Sequence, residues 1–589
     1  MRKKLFALLL VITAIQFMAS AQERDPRVRT YITPTRIVWT QHNDLIQQAD
    51  KLLLPGTGQA DLVNNRITYL KSTNERHPAI LLDFGKELHG GLQIVTGMPA
   101  DHTPVRLRIR FGESVSEAMC EIDTIHGATN DHAVRDMITE VPWLGVKEMG
   151  NTGFRFVRID LVDDNVELHL KEVRAISVMR DLEYVGSFKC NDALLNKIWE
   201  TGAYTVHLNM QEYIWDGIKR DRLVWIGDLH PEVMTVNTVF GYNEVIPKSL
   251  DFMKEITPLP NWMNGMCSYS IWWLMIQRDW YYYQGNKDYL LAQKDYIEGL
   301  LKQLIASVDK QGVEQMSGGT RFLDWPSSDN AEAIHVGLQA LVIQALKCGT
   351  ELMEVLGNND LSKECSNTVV RMQKAAGKVS KQFLTTLKSA DEPGAKQVAA
   401  LMALSGLMPA KEAAQKYLMY RGAHGFSTFF GYYMLNALAL AGEYEEALQI
   451  IRSYWGEMLR LGATTFWEDF NLDWVPGAAG IDELVPEGMK DIHGDFGDYC
   501  YKGFRHSLCH GWASGPTAWL SQYVLGVNVV VPGCQELKIV PHLGNLQWVE
   551  GTFPTPYGTV YIRHERQADG SIKSDIQAPE GVKIIKEVF

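Results

Sequence analysis

The chain has 589 residues, 46% hydrophobic and 10% aromatic, which is ample for a large core and too long for one typical domain. Its formal net charge of −13 argues against nucleic acid or an anionic membrane as the main partner, because both repel an acidic surface. An acidic polysaccharide stays open, since a pocket can be basic where the surface is not.

Met1-Arg2-Lys3-Lys4 leads into an apolar stretch from Leu5 to Met18 and then the small residues Ala19-Ser20-Ala21. This is the layout of a secretory signal peptide, so residues 1–21 are expected to be removed and the protein exported, to the periplasm in a bacterium. The apolar run is short for a membrane span, and no cysteine follows it to carry a lipid. No membrane insertion is expected once the signal is gone.

Residues 22–188 read as strands. Ala79–Phe84, Val105–Phe111 and Phe154–Leu161 are β-branched or aromatic and partly alternate, and Gly85, Gly90-Gly91, Gly97 and Gly112 punctuate them. Arg106, Arg108 and Arg110 alternate with apolar residues, which gives that strand one wet face, and a β-sandwich follows. Near Asn191 the period becomes helical. Asp288–Val308, Ala331–Leu356, Leu361–Leu387 and Tyr444–Leu459 are predicted helices, and the segment Gly425–Gly442 is apolar almost all round, as an inner wall would be. Residues 189–525 hold roughly a dozen such helices, enough to close an (α/α)6 toroid from six antiparallel pairs. Residues 526–589 return to strands, at Val527–Val531, Glu536–Val540, Thr559–Arg563 and Ser571–Ile576, and form a small C-terminal β-domain. The eight cysteines are scattered without CxxC pairs, so they are expected to be mostly unpaired and to hold no zinc.

Five inserts between helices hold the unusual residues. The first, Asp216-Gly-Ile-Lys-Arg-Asp-Arg-Leu-Val-Trp-Ile-Gly-Asp228, packs three carboxylates, two arginines and a tryptophan into thirteen residues. Unpaired buried carboxylates are costly, so this density suits a polar pocket with acids tuned apart, as acid–base chemistry on a sugar requires. The others are Asn261–Gly265 leading to Trp272-Trp273, then Phe322-Leu-Asp324-Trp325-Pro326, Gly462–Asp469 with Trp467 and Glu468, and Arg505–Trp512 with His510. On one rim of a toroid they would form a crater where Trp faces stack on pyranose rings and acids and His bind hydroxyls. Each has a structural alternative. Asp324-Trp325 reads equally as a helix start, Glu468 as a helix N-terminal acid, and His510 as a capping residue.

The first insert resembles the signature D-C-P-Q-R-(D/E)-E-R-L-G-W-T-G-D, or its form one residue shorter, of family 78 glycoside hydrolases, the α-L-rhamnosidases. Gly462-Ala-Thr-Thr-Phe-Trp-Glu468 is similar to the family's G-A-T-T-x-W-E, Ser507-Leu-Cys-His510 to its S-L-N-H, and Leu82-Asp83-Phe84-Gly85 through Gly91 to its D-F-G-x-N-x-x-G. The resemblance implies an inverting hydrolase on an (α/α)6 barrel that releases terminal α-L-rhamnose, or a similar sugar, from glycans. It implies that Asp221 is the general acid and Glu468 the general base, about 6.5–9.5 Å apart with a water between. Asp216, Arg220, Trp225, Asp228, Trp272, Trp325, Trp467 and His510 are then expected to bind substrate. The chain departs from the pattern where Cys-Pro-Gln becomes Gly217-Ile218-Lys219 and where the acid is an aspartate, one methylene short. Glu232, a helical turn after Asp228, is the alternative acid. Two other functions compete: a polysaccharide lyase using Tyr213, Lys219 and His230 on a uronic-acid glycan, and a non-catalytic glycan-binding homologue. No cofactor is expected. Acid-rich loops such as Asp482-Glu483 could hold calcium, but no loop pattern demands it.

Overall fold

The computed structural model describes residues 25–589 apart from 64, 376, 378–380, 382–388 and 587–589. The signal segment and the end of the Leu361–Leu387 helix therefore lie outside the described residues.

The N-terminal strands form one hydrogen-bonded network of two layers. Ala79–Thr96 and Gly145–Leu161 pair along most of their length, with register shifts between Asp83 and Leu88 and between Gly90 and Leu92. Ahead of those shifts, Ala79–Asp83 is flanked by Arg36–Gln41; beyond them, Gly90–Thr96 is flanked by Glu167–Arg180. The bulges thus bend two long strands so that both layers share them. Leu82, Phe84, Leu92, Ile94, Leu107, Ile109 and Phe154 fill the space between.

The central domain is a toroid of helix pairs. Several turns use one chemical device. Gly285 and Gly357 sit at φ 68° and 76°, the left-handed region that ends a helix cheaply only at glycine. The next residues, Asn286 and Asn358, accept hydrogen bonds from the N–H groups of Tyr289 and Leu361 and so start the following helices. Asn286→Ala is expected to cost about 1 kcal/mol, read as a lowered denaturation midpoint. The helices Lys287–Ala306, Ala331–Val355 and Tyr444–Arg460 fall close to the predicted spans. Gly431–Ala441 is buried along nearly its whole length, as its all-round apolarity foretold. Among the described residues no helix is long and apolar enough to cross a membrane.

The C-terminal domain holds a four-stranded and a three-stranded sheet. Its four-stranded sheet begins with Ser187–Cys190, which pairs with Trp548–Thr555, so the strand before the first toroid helix is tied to the far end of the chain. All eight cysteines are free thiols.

The β-sandwich grips the toroid at the loops that matter. Asp83 holds Arg155 (Nε–Oδ1 2.9 Å), and Arg155 donates to the Gly462 carbonyl at 3.0 Å. The backbone N–H of Glu87 donates to Thr464 Oγ1 at 2.9 Å. The Asp83 motif is therefore a clamp on the loop that carries Glu468.

Candidate active site

Three chain segments are stitched together by backbone pairs. Glu468 N–H donates to the Ser507 carbonyl, and Ser507 N–H returns a bond to Glu468 Oε2, both at 2.9 Å. His510 N–H donates to Phe466 O at 2.9 Å, and Gly511 N–H donates to Asp216 O at 2.8 Å. The Asp216 loop closes on itself through Leu223 N–H to Asp216 Oδ1 at 2.8 Å. A Cβ on Gly511 would stand 2.1 Å from the buried Glu232 carboxyl carbon, so any larger residue there has to push that side chain aside. Gly511→Ala should therefore displace His510 and lower both kcat/KM and thermal stability.

Asp216, Arg220, Asp221, Trp225, Asp228, Trp325, Glu468 and His510 line one cavity of about 80 Å3. His510 Nε2 stands among three carboxyls, 3.7 Å from Asp216 Oδ2, 3.9 Å from Asp228 Oδ2 and 3.6 Å from Glu468 Oε1. None of these is a hydrogen bond, so the polar atoms surround a gap that hydroxyl groups can fill. Asp228 is fixed from behind by Tyr269, whose hydroxyl donates to Oδ1 at 2.9 Å.

The two proposed catalytic carboxyls have opposite surroundings. Burial pushes Glu468 up to about 7, against the pull of the Arg220 charge and the Ser507 N–H. Its Oε1 faces the gap. Burial also works to raise Asp221, but the Arg220 hydrogen bond and charge, with His132 and His510, outweigh it and hold Asp221 below the ordinary carboxylate range. Both Asp221 oxygens already accept bonds, from Arg220 Nη2 at 2.8 Å and Trp225 Nε1 at 3.2 Å. Burial, then neighbouring carboxyls, drive Asp216 well above its usual range; Asp228 rises for the same reasons despite the Tyr269 bond. Burial presses the His510 imidazole down to about 3, toward its neutral form. Asp221 and Arg222 both take left-handed backbone, at φ 52° and 57°.

Three expected residues lie elsewhere. Trp272 is fully buried and stacks on Tyr433 with centroids 4.6 Å apart, in the wall of the toroid. Trp467 is buried edge-on to Phe470 and does not line the cavity. Glu232 is sealed beneath Gly511 and does not reach the cavity. The proposed lyase residues also miss it. Tyr213 packs on Phe252, and His230 bonds Tyr433 and Asp279 at the side of a different cavity. Lys219 Nζ is buried 3.0 Å from Glu113 Oε2 and 3.3 Å from Glu117 Oε1, and donates to the carbonyls of Phe504 and His506. Glu113 and Glu117 form a cation-ligand grouping with His493, and the lysine ammonium already serves their charge. Asp482 faces Arg36 and Arg155 at 3.7 and 3.6 Å.

Sequence reasoning missed part of the lining. Met266, Tyr269, Phe322, Cys500, Tyr501, Arg505 and Trp512 also line the cavity. Phe322, Arg505 and Trp512 stand within the aromatic inserts already singled out, which was the available signal. His132 had none: it reaches across from the β-sandwich and accepts a bond from Asp221 N–H at 3.2 Å. Trp325 is both things the sequence left open. Asp324 accepts the Trp325 N–H as a helix start, while the indole lines the cavity.

Comparison with known proteins identifies the family and the fold. The family model of the bacterial α-L-rhamnosidase six-hairpin glycosidase domain matches residues 183–524. The glycosyl hydrolase family 78 α-rhamnosidase N-terminal domain matches residues 54–176, and the bacterial α-L-rhamnosidase C-terminal domain matches residues 526–585. A curated α-L-rhamnosidase of Formosa agariphila is 31% identical over 78 residues, 13% of this chain and 8% of that protein. The family 78 rhamnosidase of Bacillus sp. GL1 superposes with a TM-score of 0.72 at 19% identity, over 92% of this chain and 55% of that one. The Streptomyces avermitilis α-L-rhamnosidase complexed with L-rhamnose gives 0.68 at 16% identity, over 96% and 50%. A Klebsiella oxytoca rhamnosidase with rhamnose bound gives 0.62 at 18% identity, over 85% and 96%. The chain thus spans about half the length of the Bacillus and Streptomyces proteins. With its six-hairpin domain matched throughout and both flanking domains recognised in order, the chain belongs to glycoside hydrolase family 78, the bacterial α-L-rhamnosidases.

Proposed function

We propose that this protein hydrolyses terminal α-L-rhamnosides, or glycosides of a similar deoxy sugar, with Asp221 and Glu468 as the acid–base pair and inversion at the anomeric carbon. The observation that carries it is one cavity holding two carboxyls of opposite environment, ringed by sugar-binding donors and aromatic faces. A protonated carboxyl gives its proton to the glycosidic oxygen while the ionised one takes a proton from an attacking water. The resting geometry supports Glu468 as the proton donor, because Asp221 already accepts two N–H bonds and stands against a guanidinium. That is the reverse of the roles the family resemblance implies. For Asp221 to donate, it would have to take up a proton while standing against the Arg220 guanidinium.

The test is hydrolysis of aryl α-L-rhamnosides against neighbouring deoxy- and pentosyl glycosides, with the first-formed anomer followed by NMR. The active form keeps Glu468 protonated and Asp221 ionised. Activity is therefore expected to fall as pH rises through about 7 and to fall again in acid as Asp221 takes up a proton. Glu468→Gln should abolish the upper limb of that profile. The second reading, a glycan-binding protein without turnover, draws on the aspartate at position 221, one methylene shorter than the glutamate that the family resemblance implies; binding of rhamnosides with no hydrolysis of any aryl glycoside would establish it. Export remains part of the proposal, and a mature N-terminus at Gln22 would support it.

A further inference from the structure

Asp221 belongs to the toroid, yet its turn is tied to the β-sandwich at two points. His132 Nδ1 accepts the Asp221 N–H at 3.2 Å, and the Arg222 guanidinium donates to the Asn151 carbonyl at 2.9 Å. Asp221 and Arg222 are adjacent non-glycine residues at φ 52° and 57°, a conformation that persists only where the surroundings fix it. The imidazole stands behind the reacting groups. It opens on a narrow cleft of about 20 Å3, and Arg220 and Arg505 line both this cleft and the catalytic cavity. His132 does not line the catalytic cavity, and its side chain is 31% exposed, so solvent reaches the ring from the cleft side.

One ring atom can do two different things here. Nδ1 lies 3.2 Å from the Asp221 nitrogen and 3.3 Å from Asp221 Oδ1. Bare, it accepts the backbone N–H. Protonated, it can no longer accept, and its own N–H stands within reach of the carboxylate. The charges around the ring come from both domains. On the sandwich side Asp131 Oδ2, 3.8 Å from Nε2, favours the imidazolium. On the toroid side Arg220 Nη2, 3.4 Å from Nε2, opposes it, although that guanidinium is itself bonded to Asp221 Oδ1 at 2.8 Å. Arg505 adds a positive charge to the same wall. The other charged groups of the cleft are committed elsewhere: Lys219 faces Glu117 at 3.3 Å, and Arg135 donates to the carbonyls of Glu117 and Cys120. On its cavity side Asp221 meets Asp216, Asp228, Glu468 and His510. Burial works to raise the Asp221 carboxyl, and the Arg220 bond and charge, followed by the His132 charge, outweigh it.

We propose that His132 is a positioning residue that the β-sandwich lends to the active site: unprotonated it pins the backbone of Asp221, and protonated it pairs with the Asp221 carboxylate and keeps that group ionised in acid. It touches neither substrate nor the attacking water and acts through Asp221 alone. The exchange needs one solvent proton on Nδ1, which trades the bond from the backbone N–H for a bond to Oδ1. The proposal rests on the hydrolytic reading given above, and it extends the working range further into acid than Arg220 alone would allow.

The experiment compares kcat/KM against pH for the parent, His132→Asn and His132→Leu on an aryl α-L-rhamnoside. Asparagine places an amide oxygen where Nδ1 stood, so it can accept the Asp221 N–H but cannot carry the ring's charge; leucine can do neither. Losing a cation beside Asp221 makes its ionised form harder to keep. Both variants should therefore move the limb governed by Asp221 to higher pH, by about one unit. At its own optimum His132→Asn should keep at least tenfold more kcat than His132→Leu, since only leucine releases the turn. A loss of kcat with the limb unmoved is what a merely structural residue would give, and it overturns the assignment. So does a leucine variant no slower than the asparagine one. The acid limb is the one that moves if Asp221 is the base. Movement of the alkaline limb instead keeps the hold of His132 on Asp221 but makes Asp221 the proton donor, so the catalytic roles and this proposal fail separately. If the parent hydrolyses no glycoside, the hydrolytic reading falls and the carboxyl is titrated directly by NMR of carbon-13-labelled aspartate, with Asp221→Asn identifying its signal. A midpoint that rises in His132→Asn supports the contact, and an unchanged midpoint overturns it.

Discussion

Glu468→Gln is expected to be about 10^3-fold slower than the parent on a rhamnosyl disaccharide, yet to recover most of that loss on a dinitrophenyl α-L-rhamnoside. A leaving group as acidic as dinitrophenol departs without a proton, so removing the donor costs it little. Asp221→Asn is expected to stay slow on both, because the attacking water still lacks a base. Azide, which needs no base, should rescue Asp221→Ala and give a glycosyl azide of inverted configuration. The reason for this division of roles is on the surface of Asp221 itself: two N–H donors occupy its oxygens and a guanidinium lies 2.8 Å away. Recovery on the activated substrate by Asp221→Asn alone would return the donor's part to Asp221, as the family resemblance implies.

Lys219→Met is expected to be the most destabilising single change near the site. Lys219 is nearly sealed from solvent, and its ammonium faces Glu113 and Glu117, whose side chains are themselves buried. Taking one partner from a buried charge cluster costs about 3–5 kcal/mol, because the charges left behind lose their compensation. Thermal unfolding should begin at lower temperature, and kcat should fall too. Glu113 also accepts the Leu508 N–H at 2.6 Å and the Ser507 hydroxyl at 3.3 Å, and Ser507 N–H in turn holds Glu468. Adding Glu113→Gln to Lys219→Met should restore part of the stability, as coupled neighbours do. A Lys219→Met protein as stable as the parent would mean that Glu113 folds in its protonated form, which burial favours by pushing it up to about 7.

The elements that periodicity could reveal were readable. Lys287–Ala306, Ala331–Val355 and Val527–Val531 lie where alternation or helical spacing put them, since burial on one face leaves a repeating mark. Trp548–Thr555 was not readable, because Gly551 and Pro554 break the look of a strand that in fact lies between two others. The acids of the site were legible as a density of charge that no core would accept. The direction of each tryptophan was not. Trp225, Trp325 and Trp512 face the cavity while Trp272, inside the helix Cys267–Gln284 that is buried along most of its length, and Trp467, in a loop, face the core; neither setting leaves a one-sided period to tell them apart. The roles of His132 and Glu113 were invisible for a different reason. They belong to the β-sandwich and matter only through contacts that span many tens to hundreds of residues, out of reach of any local pattern.

Those same contacts mean that the boundary between the first two domains is not a boundary of function. Asp83, Glu87, Glu113 and His132 each touch a loop that shapes the catalytic cavity, directly or through one intermediary. A toroid excised on its own would keep its helices and lose the fixtures that aim its carboxyls. In chimaeras built among relatives, the sandwich and the six-hairpin body must therefore be exchanged as one heritable piece, and specificity grafted by swapping the helical part alone should arrive without its activity.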